Sequence, residues 1–268
     1  MNTLNYDWQL TAEHPVMAQY SRHNPGVSEC PADMHSAIHI GILIQGDTIS
    51  FQNGETVCVS EGKIYLTSPW EQHKSIYSEK GNFLLLLTIT PEVLDHALLA
   101  GAKKINTLFT IPPTERQNIL NNLDLPPELP QKIIDLLSLP ESEKRELQIW
   151  HAALGILIEI AALEFSAVPD SDYSRLLPSL QHLSNTPLSV AQAAQFCNLS
   201  ESRFAHLFRR VFGISFAHYE RLYRLRCAVS EMEMHKTGLK EAAENWGFYD
   251  KSHFSKACKK YLKNNFNT

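Results

Sequence analysis

The sequence predicts a multidomain chain. An all-β N-terminal part, a small barrel or sandwich, is followed by helices and then by an all-α domain built on two similar helix pairs. Three observations predict this. Short β-rich runs separated by turn dipeptides fill residues 16–90. A small, polar, proline-interrupted stretch, SAVPDSDYS at 166–174, reads as a linker. Beyond it a helix pair with a tight turn occurs twice, with Phe204 and Phe254 at equivalent positions. The expected boundaries are 1–110 for the β domain, 111–166 for a helical segment, 167–175 for the linker and 176–268 for the all-α domain.

In chain order, the β-rich runs are 38–44, 48–51, 56–59, 63–66, 75–77 and 83–89. Gly46-Asp47, Asn53-Gly54, Glu61-Gly62 and Lys80-Gly81 are read as the turns between them. Pro91 suits the first turn of a helix running to about Ala100. A short helix is expected over 131–137 within a Pro- and Leu-rich stretch. A long one is expected over 142–165, with Leu147, Trp150, Leu154, Leu157, Ile158, Ala161, Leu163 and Phe165 as its apolar face. Glu141, Glu143 and Glu146 give its first turns the sign that favours a helix N-terminus. That face either packs on its own domain or meets the same helix of a second subunit.

After the linker, SVAQAAQFCNLSESRFAHLFRRVF (189–212) and LKEAAENWGFYDKSHFSKACKKY (239–261) align as two copies of one device. Asn198 and Gly247 occupy turn positions that favour the left-handed conformation. Ser200 and Asp250 are placed to cap the following helix. A helix with a Tyr219, Leu222, Leu225, Ala228/Val229, Met232 stripe is expected between the copies, over 216–235. Its 20 residues span about 30 Å, close to the roughly 34 Å that separates successive major grooves on one face of B-DNA. Such pairs read as helix-turn-helix units.

Charge supports this. The chain carries a net charge of −5, but residues 171–268 hold 14 Lys+Arg against 8 Asp+Glu, whereas residues 1–170 hold 10 against 21. A basic module on an acidic body is the footprint of polyanion binding. The five cysteines, at 30, 58, 197, 227 and 258, include no C-x-x-C pair, which argues against a disulfide framework or a zinc knuckle and for a reducing compartment. With no run long enough for a membrane span and no signal-peptide pattern at the start, a cytoplasmic protein is expected. No nucleophile triad, phosphate-cradling loop or carboxylate pair has recognisable spacing, so no enzyme activity is expected.

The run HIGILIQGDTISFQNGETVCVSEGKIYLTSPWEQH resembles the cupin-type sensor domain of AraC/XylS-type regulators, with Gly46, Asn53-Gly54, Glu61-Gly62 and Pro69 before His73 as landmarks. Ala194 with Ser200, Gly213-Ile214-Ser215, Tyr219, Arg224 with Ala228, and A-x-x-x-G-F-Y-D-K-S-H-F-S-K resemble the DNA-binding domain of the same family. The resemblance implies a transcription regulator that binds double-stranded DNA and a small-molecule effector, acts as a homodimer, and has RNA polymerase as a possible partner. It implies base contacts from Ser202, Ala205 and His206 in the first unit and from Ser252, His253 and Lys256 in the second. Arg203 and Lys251 also face outward. Arg209, Arg210, Lys259 and Lys260 are assigned to phosphates, which position a protein on DNA without reading sequence.

A pocket for the effector is assigned to His35, His39, Tyr65, Trp70, His73 and Tyr77. The aromatics suit core packing equally well. Metal-binding cupins usually pair H-x-H with a downstream Glu and His, whereas this chain has H-x-x-x-H without an evident Glu. The histidines are therefore read as pocket-lining groups and no metal or other cofactor is assigned, although positions four apart on a strand do share a face. Two other functional classes stay open: a metal-dependent enzyme fused to a DNA-binding tail, and a co-regulator that binds DNA weakly through an incomplete second unit. The second arises because Cys258 stands where the family usually has Phe, and YLKNNFNT lacks the family's Gly and Pro.

Overall fold

A computed structural model describes residues 10, 14–24, 28–29, 35, 37–69, 71–94, 102–165, 172–235, 237–248, 252 and 254–259. Apart from short stretches near the start of the chain, it divides into two compact units at Val168/Pro169.

Among the described residues, the N-terminal unit holds six antiparallel strands in one sheet: β1 (Val16–His23), β2 (Ser28–Glu29), β3 (Ile38–Gln52), β4 (Glu55–Ser60), β5 (Ile64–Thr67) and β6 (His73–Ile89). The order is β1-β6-β3-β4, with β2 also on β6 and β5 also on β3. The six separate runs expected from the sequence are merged by two corrections. Gly46 (φ +81°) and Gly81 (φ +75°) do not end strands; they lie where the β3–β6 register shifts, with Gly46 opposite Asn82. These are bulges, which bend a long strand without terminating it. Asn53 and Gly54 (φ 47° and 86°) and Gly62 (φ 75°) do form the turns expected of them.

Strand alternation divides the side chains of β3, β5 and β6 between two cores. Ile38, Ile40, Ile42, Ile64, Leu66, Leu85, Leu87 and Ile89 face a helical layer. Leu43, Val57, Val59, Tyr65 and Leu84 form a second, smaller cluster. The helical layer follows a 3₁₀ turn (Pro91–Leu94) and comprises α1 (Ala102–Leu108), α2 (Pro113–Leu120), α3 (Glu128–Leu137) and α4 (Glu143–Ala162). The expected helix from Pro91 to Ala100 is described only as far as this turn. α3 starts earlier than the sequence suggests, and α2 was not anticipated, because its buried residues include Arg116 and Gln117.

The face of α4 is also corrected. Ile149, Ala152, Ala153, Ile156, Leu157 and Ile160 are buried, while Leu147 and Ile158 are 60% and 58% exposed. A helix apolar on most of its circumference does not reveal which face is covered. Ser142 caps α4 by accepting from the Arg145 backbone N–H at 3.2 Å.

The C-terminal unit holds α5 (Asp172–Gln181), α6 (Val190–Phe196), α7 (Glu201–Phe212), α8 (Phe216–His235) and α9 (Leu239–Asn245). Residues 254–259 are again helical. The expected linker is therefore too long. α5 begins inside it, because Tyr173 is buried against Phe212 at 5.5 Å between ring centroids; residues 166–171 lie outside the described residues. No helix among the described residues is long and apolar enough to cross a membrane.

Candidate nucleic-acid interface and effector site

The first helix pair is fixed at each joint. Ser189 and Gln192 form a reciprocal capping box at the start of α6. Asn198 takes the left-handed conformation (φ 53°) between α6 and α7. Ser200 caps α7 by accepting from the Arg203 backbone N–H at 3.4 Å. Beneath α7, Phe204, Phe208, Phe212, Phe216 and Tyr219 are fully buried and stack on one another, the closest pair being Phe208 and Phe212 at 4.3 Å. Aromatic rings packed in this way hold a helix rigidly.

The opposite face of α7 is open to solvent. Ser202, Arg203, Ala205, His206, Arg209 and Arg210 are all exposed. Arg210 pairs with the Asp172 carboxylate of α5, so it reaches a phosphate only by leaving that pair. Arg209 and Arg210 also lie in the last turn of α7, where a cation complements the helix dipole.

The second pair packs on α8. Ala242 and Ala243 of α9 meet Leu225, Ala228 and Val229, with Phe254 and Cys258 completing the cluster. Ser252, Lys256 and Lys259 are exposed on the following helical segment. Asp250, Lys251, His253 and Lys260 lie outside the described residues.

A polar clamp, not anticipated from the sequence, joins the two pairs. Arg224 of α8 is buried and donates to Glu220 Oε1 at 2.5 Å, and to the carbonyl oxygens of Trp246 (2.8 Å) and Gly247 (3.2 Å). Its guanidinium also lies 4.8 Å from the Phe248 ring centroid. Glu220 accepts in turn from the Leu188 backbone N–H at 3.3 Å, just before α6. Glu231 holds the same turn by accepting from Trp246 Nε1 at 2.6 Å and Asn245 Nδ2 at 2.7 Å. Gly247 (φ 66°) abuts this junction too: a Cβ there would lie 2.9 Å from Pro187 Cδ. The second turn and the segment leading into the first pair are thus fastened to one helix.

Burial pushes the Cys227 thiol up to about 12 and the Cys258 thiol up to about 11, and raises that of Cys197. Raised thiol values favour the folded state fully below the unfolded value near 9, and the benefit is lost as pH climbs from there toward 12. At pH 8, iodoacetamide is expected to label exposed Cys58 and spare Cys197, Cys227 and Cys258 until the protein unfolds. Peptide mass spectrometry reads this directly; equal labelling of Cys58 and Cys227 in native protein would contradict the packing.

In the N-terminal unit, the residues assigned to the pocket divide. Tyr65 is 4% exposed and sits in the smaller core, its ring over Gly41, where a Cβ would come within 2.0 Å of it. Tyr77 pairs with Thr48 across the β3–β6 ladder, but its side chain, like all of Trp70, lies outside the described residues. His39 and His73 come together, ring centroids 5.3 Å apart and nearly perpendicular. His35 is buried as well.

Beside them is a buried charge cluster that sequence reading missed. Arg116 of α2 is 1% exposed and donates to Glu71 and to Gln52 Oε1, each at 2.8 Å. Glu71 also accepts from the Ser68 backbone N–H at 2.7 Å. No signal in the sequence singles out Arg116, which stands in the polar run PTERQN.

Comparison with known proteins accords with this geometry. The helix-turn-helix domain family matches residues 193–266. The arabinose operon regulatory protein of Salmonella typhimurium is 31% identical over 109 residues, 39% of this chain and 38% of that protein. An apo ToxT variant from Vibrio cholerae strain SCE256 superposes with a TM-score of 0.52 at 11% identity, over 92% of this chain and 93% of that one. The chain resembles AraC/XylS-type regulators. The match to the arabinose regulator spans well under two thirds of that protein's length. An RmlC-like cupin from Shewanella frigidimarina NCIMB 400 is also similar, at 17% identity over 28% of this chain and 67% of that one, with a TM-score of 0.27.

Proposed function

We propose that this chain is a sequence-specific, DNA-binding transcription regulator controlled by a small molecule held in its N-terminal sheet. The observation that carries the DNA part is the exposed polar and cationic face of α7 above a fully buried aromatic core. A rigid helix with Ser, Arg and His side chains outward can enter a major groove and hydrogen-bond base edges. The second pair, clamped to the same 20-residue α8, supplies the second groove contact. Ser202, Ala205, His206, Ser252, His253 and Lys256 read bases; Arg209, Arg210, Lys259 and Lys260 bind phosphates. Regulation rather than catalysis is the activity, and the cytoplasm its place. A homodimer fits the exposed Leu147 and Ile158 on α4.

The test is an anisotropy titration of operator-length DNA across salt concentrations. Lys259→Ala should weaken binding to every sequence and reduce the slope of log K against log salt by about 1. His206→Ala should change base preference and leave the slope alone. An unchanged slope in Lys259→Ala removes the phosphate assignment. Equal affinity for operator and random DNA removes sequence specificity.

A further inference from the structure

One cation on the open face of α7 is already occupied. Arg203, Arg209 and Arg210 all stand exposed there. Among the described residues only Arg210 has a carboxylate in ion-pairing reach, that of Asp172 in the first turn of α5. We propose that Asp172 is an internal counter-ion that stands in for a DNA phosphate. It holds Arg210 until a phosphate displaces it, and so lowers both the affinity of this face for DNA and its response to salt. The role rests on the DNA-binding reading above for the identity of the polyanion. The pair itself lies wholly within the C-terminal unit.

The packing of α5 fixes where the carboxylate stands. Tyr173, the next residue, is 3% exposed, and its ring centroid lies 5.5 Å from that of Phe212. Leu176 is fully buried, and its carbonyl oxygen accepts from the Cys197 thiol at the end of α6 at 3.7 Å. α5 is thereby docked on both helices of the first pair. Asp172 immediately precedes Tyr173, and Arg210 lies just before Phe212 in the last turn of α7. The contact that buries the two rings therefore also brings carboxylate to guanidinium. A short side chain on an anchored backbone loses little freedom in making such a pair, unlike two long chains that meet on a surface.

The charges around the pair suit an exchange. Arg175, further along α5, lies 3.9 Å from the same carboxylate. Two guanidiniums thus share one carboxylate, and the group stays cationic while the pair is closed. The planar fork of an arginine bonds a phosphate in the same way as a carboxylate, so one can replace the other at Arg210 without a new geometry. When that happens, Arg175 remains beside the released Asp172, which is not left as a bare charge.

Exposure sets the size of the effect. The Arg210 and Asp172 side chains are 56% and 42% exposed. An ion pair this open to water is worth about 2–5-fold in an equilibrium constant, so it shades affinity and does not lock the helix. Salt dependence separates displacement of the pair from simple repulsion. Each phosphate that is neutralised releases about 0.9 of a condensed counter-ion. Here part of that release is taken back, because the freed carboxylate draws a cation from solution.

The experiment titrates the full chain into a labelled random-sequence duplex at several salt concentrations, and runs the same samples on immobilised heparin. Asp172→Asn should tighten duplex binding by about 2–5-fold. It should also steepen the slope of log K against log salt by about 0.5–0.9. Both gains should vanish in Asp172→Asn/Arg210→Ala, whereas Asp172→Glu, which keeps the charge, should hold the slope of the parent. Glu201→Gln, another acid removed from the first pair, should act independently of Arg210. Circular dichroism checks that α5 is intact; if Asp172→Asn loses helix, Asp172→Ser, uncharged and suited to a helix start, replaces it. An unchanged affinity and slope, or a gain that survives loss of Arg210, overturns the assignment. Weaker binding by Asp172→Asn overturns it too, since Asp172 would then be aiming Arg210 at the phosphate. Duplex binding by the parent with no effect of Asp172 on either polyanion leaves the functional reading standing and removes this role. Later elution of Asp172→Asn from heparin, with no duplex binding by any sample, upholds the counter-ion and removes the DNA reading.

Discussion

Arg224→Ala is expected to destabilise the C-terminal unit by about 3–5 kcal/mol, the cost of removing one partner from a buried ion pair. The reason is specific to its surroundings. Glu220 would keep its charge in a site where it is 5% exposed, holding only the Leu188 N–H. The carbonyls of Trp246 and Gly247 would lose their donor at the same time. Arg224→Lys should recover little, since an ammonium cannot bridge a carboxylate and two carbonyls as a planar guanidinium does. A Glu220→Gln/Arg224→Met double variant should be more stable than Arg224→Ala, because no bare charge remains. Urea denaturation gives the midpoints, and affinity for two-site DNA should fall more than affinity for a single site. Equal stability of Arg224→Ala and the parent would show that the clamp contributes nothing.

Arg116→Ala carries the second large effect, also about 3–5 kcal/mol, in the N-terminal unit. Arg116 is the buried cation that Glu71 faces, and its loss strips Gln52 of a donor as well. Adding Glu71→Gln to Arg116→Ala should restore part of the deficit by removing the unpaired charge. Glu71→Gln alone should also destabilise, leaving the guanidinium bare. A thermal melt of the three variants distinguishes these outcomes; three equal melting temperatures would mean that the pair is not buried in solution.

Both predictions fall on residues that sequence reading did not rank, which marks where that reading stops. Periodicity and turn chemistry placed α8 to the residue, along with the left-handed Asn198 and Gly247 and the cap at Ser200. These are local effects, encoded within a few positions of where they act. Strand merging at Gly46 and Gly81 was hidden because a bulge and a turn ask for the same glycine conformation. The buried face of α4 was hidden because Leu147 and Ile158 are as apolar as their covered neighbours. Glu220–Arg224 had the i, i+4 spacing of an ordinary solvated pair; its burial depends on segments 32 residues before and 22 after, at Leu188 and Trp246. The meeting of His39 and His73 was hidden, because β3–β6 pairing sets them at opposite ends of the ladder, opposite Thr88 and Gln52, and only the curl of the sheet brings the rings together.

The two turns look like duplicates, yet they are no longer exchangeable parts. Asn198 occupies its left-handed position with a side chain to spare, so glycine there should be tolerated at the cost of some added freedom in the unfolded chain. The reverse exchange fails on space and not on conformation, since any side chain at Gly247 meets Pro187 and the Asn185 carbonyl. A chimera carrying the first turn in both places would therefore push α9 off the segment that leads into α6. What began as a repeated motif has become a matched pair of unlike pieces, each shaped by the other's neighbour.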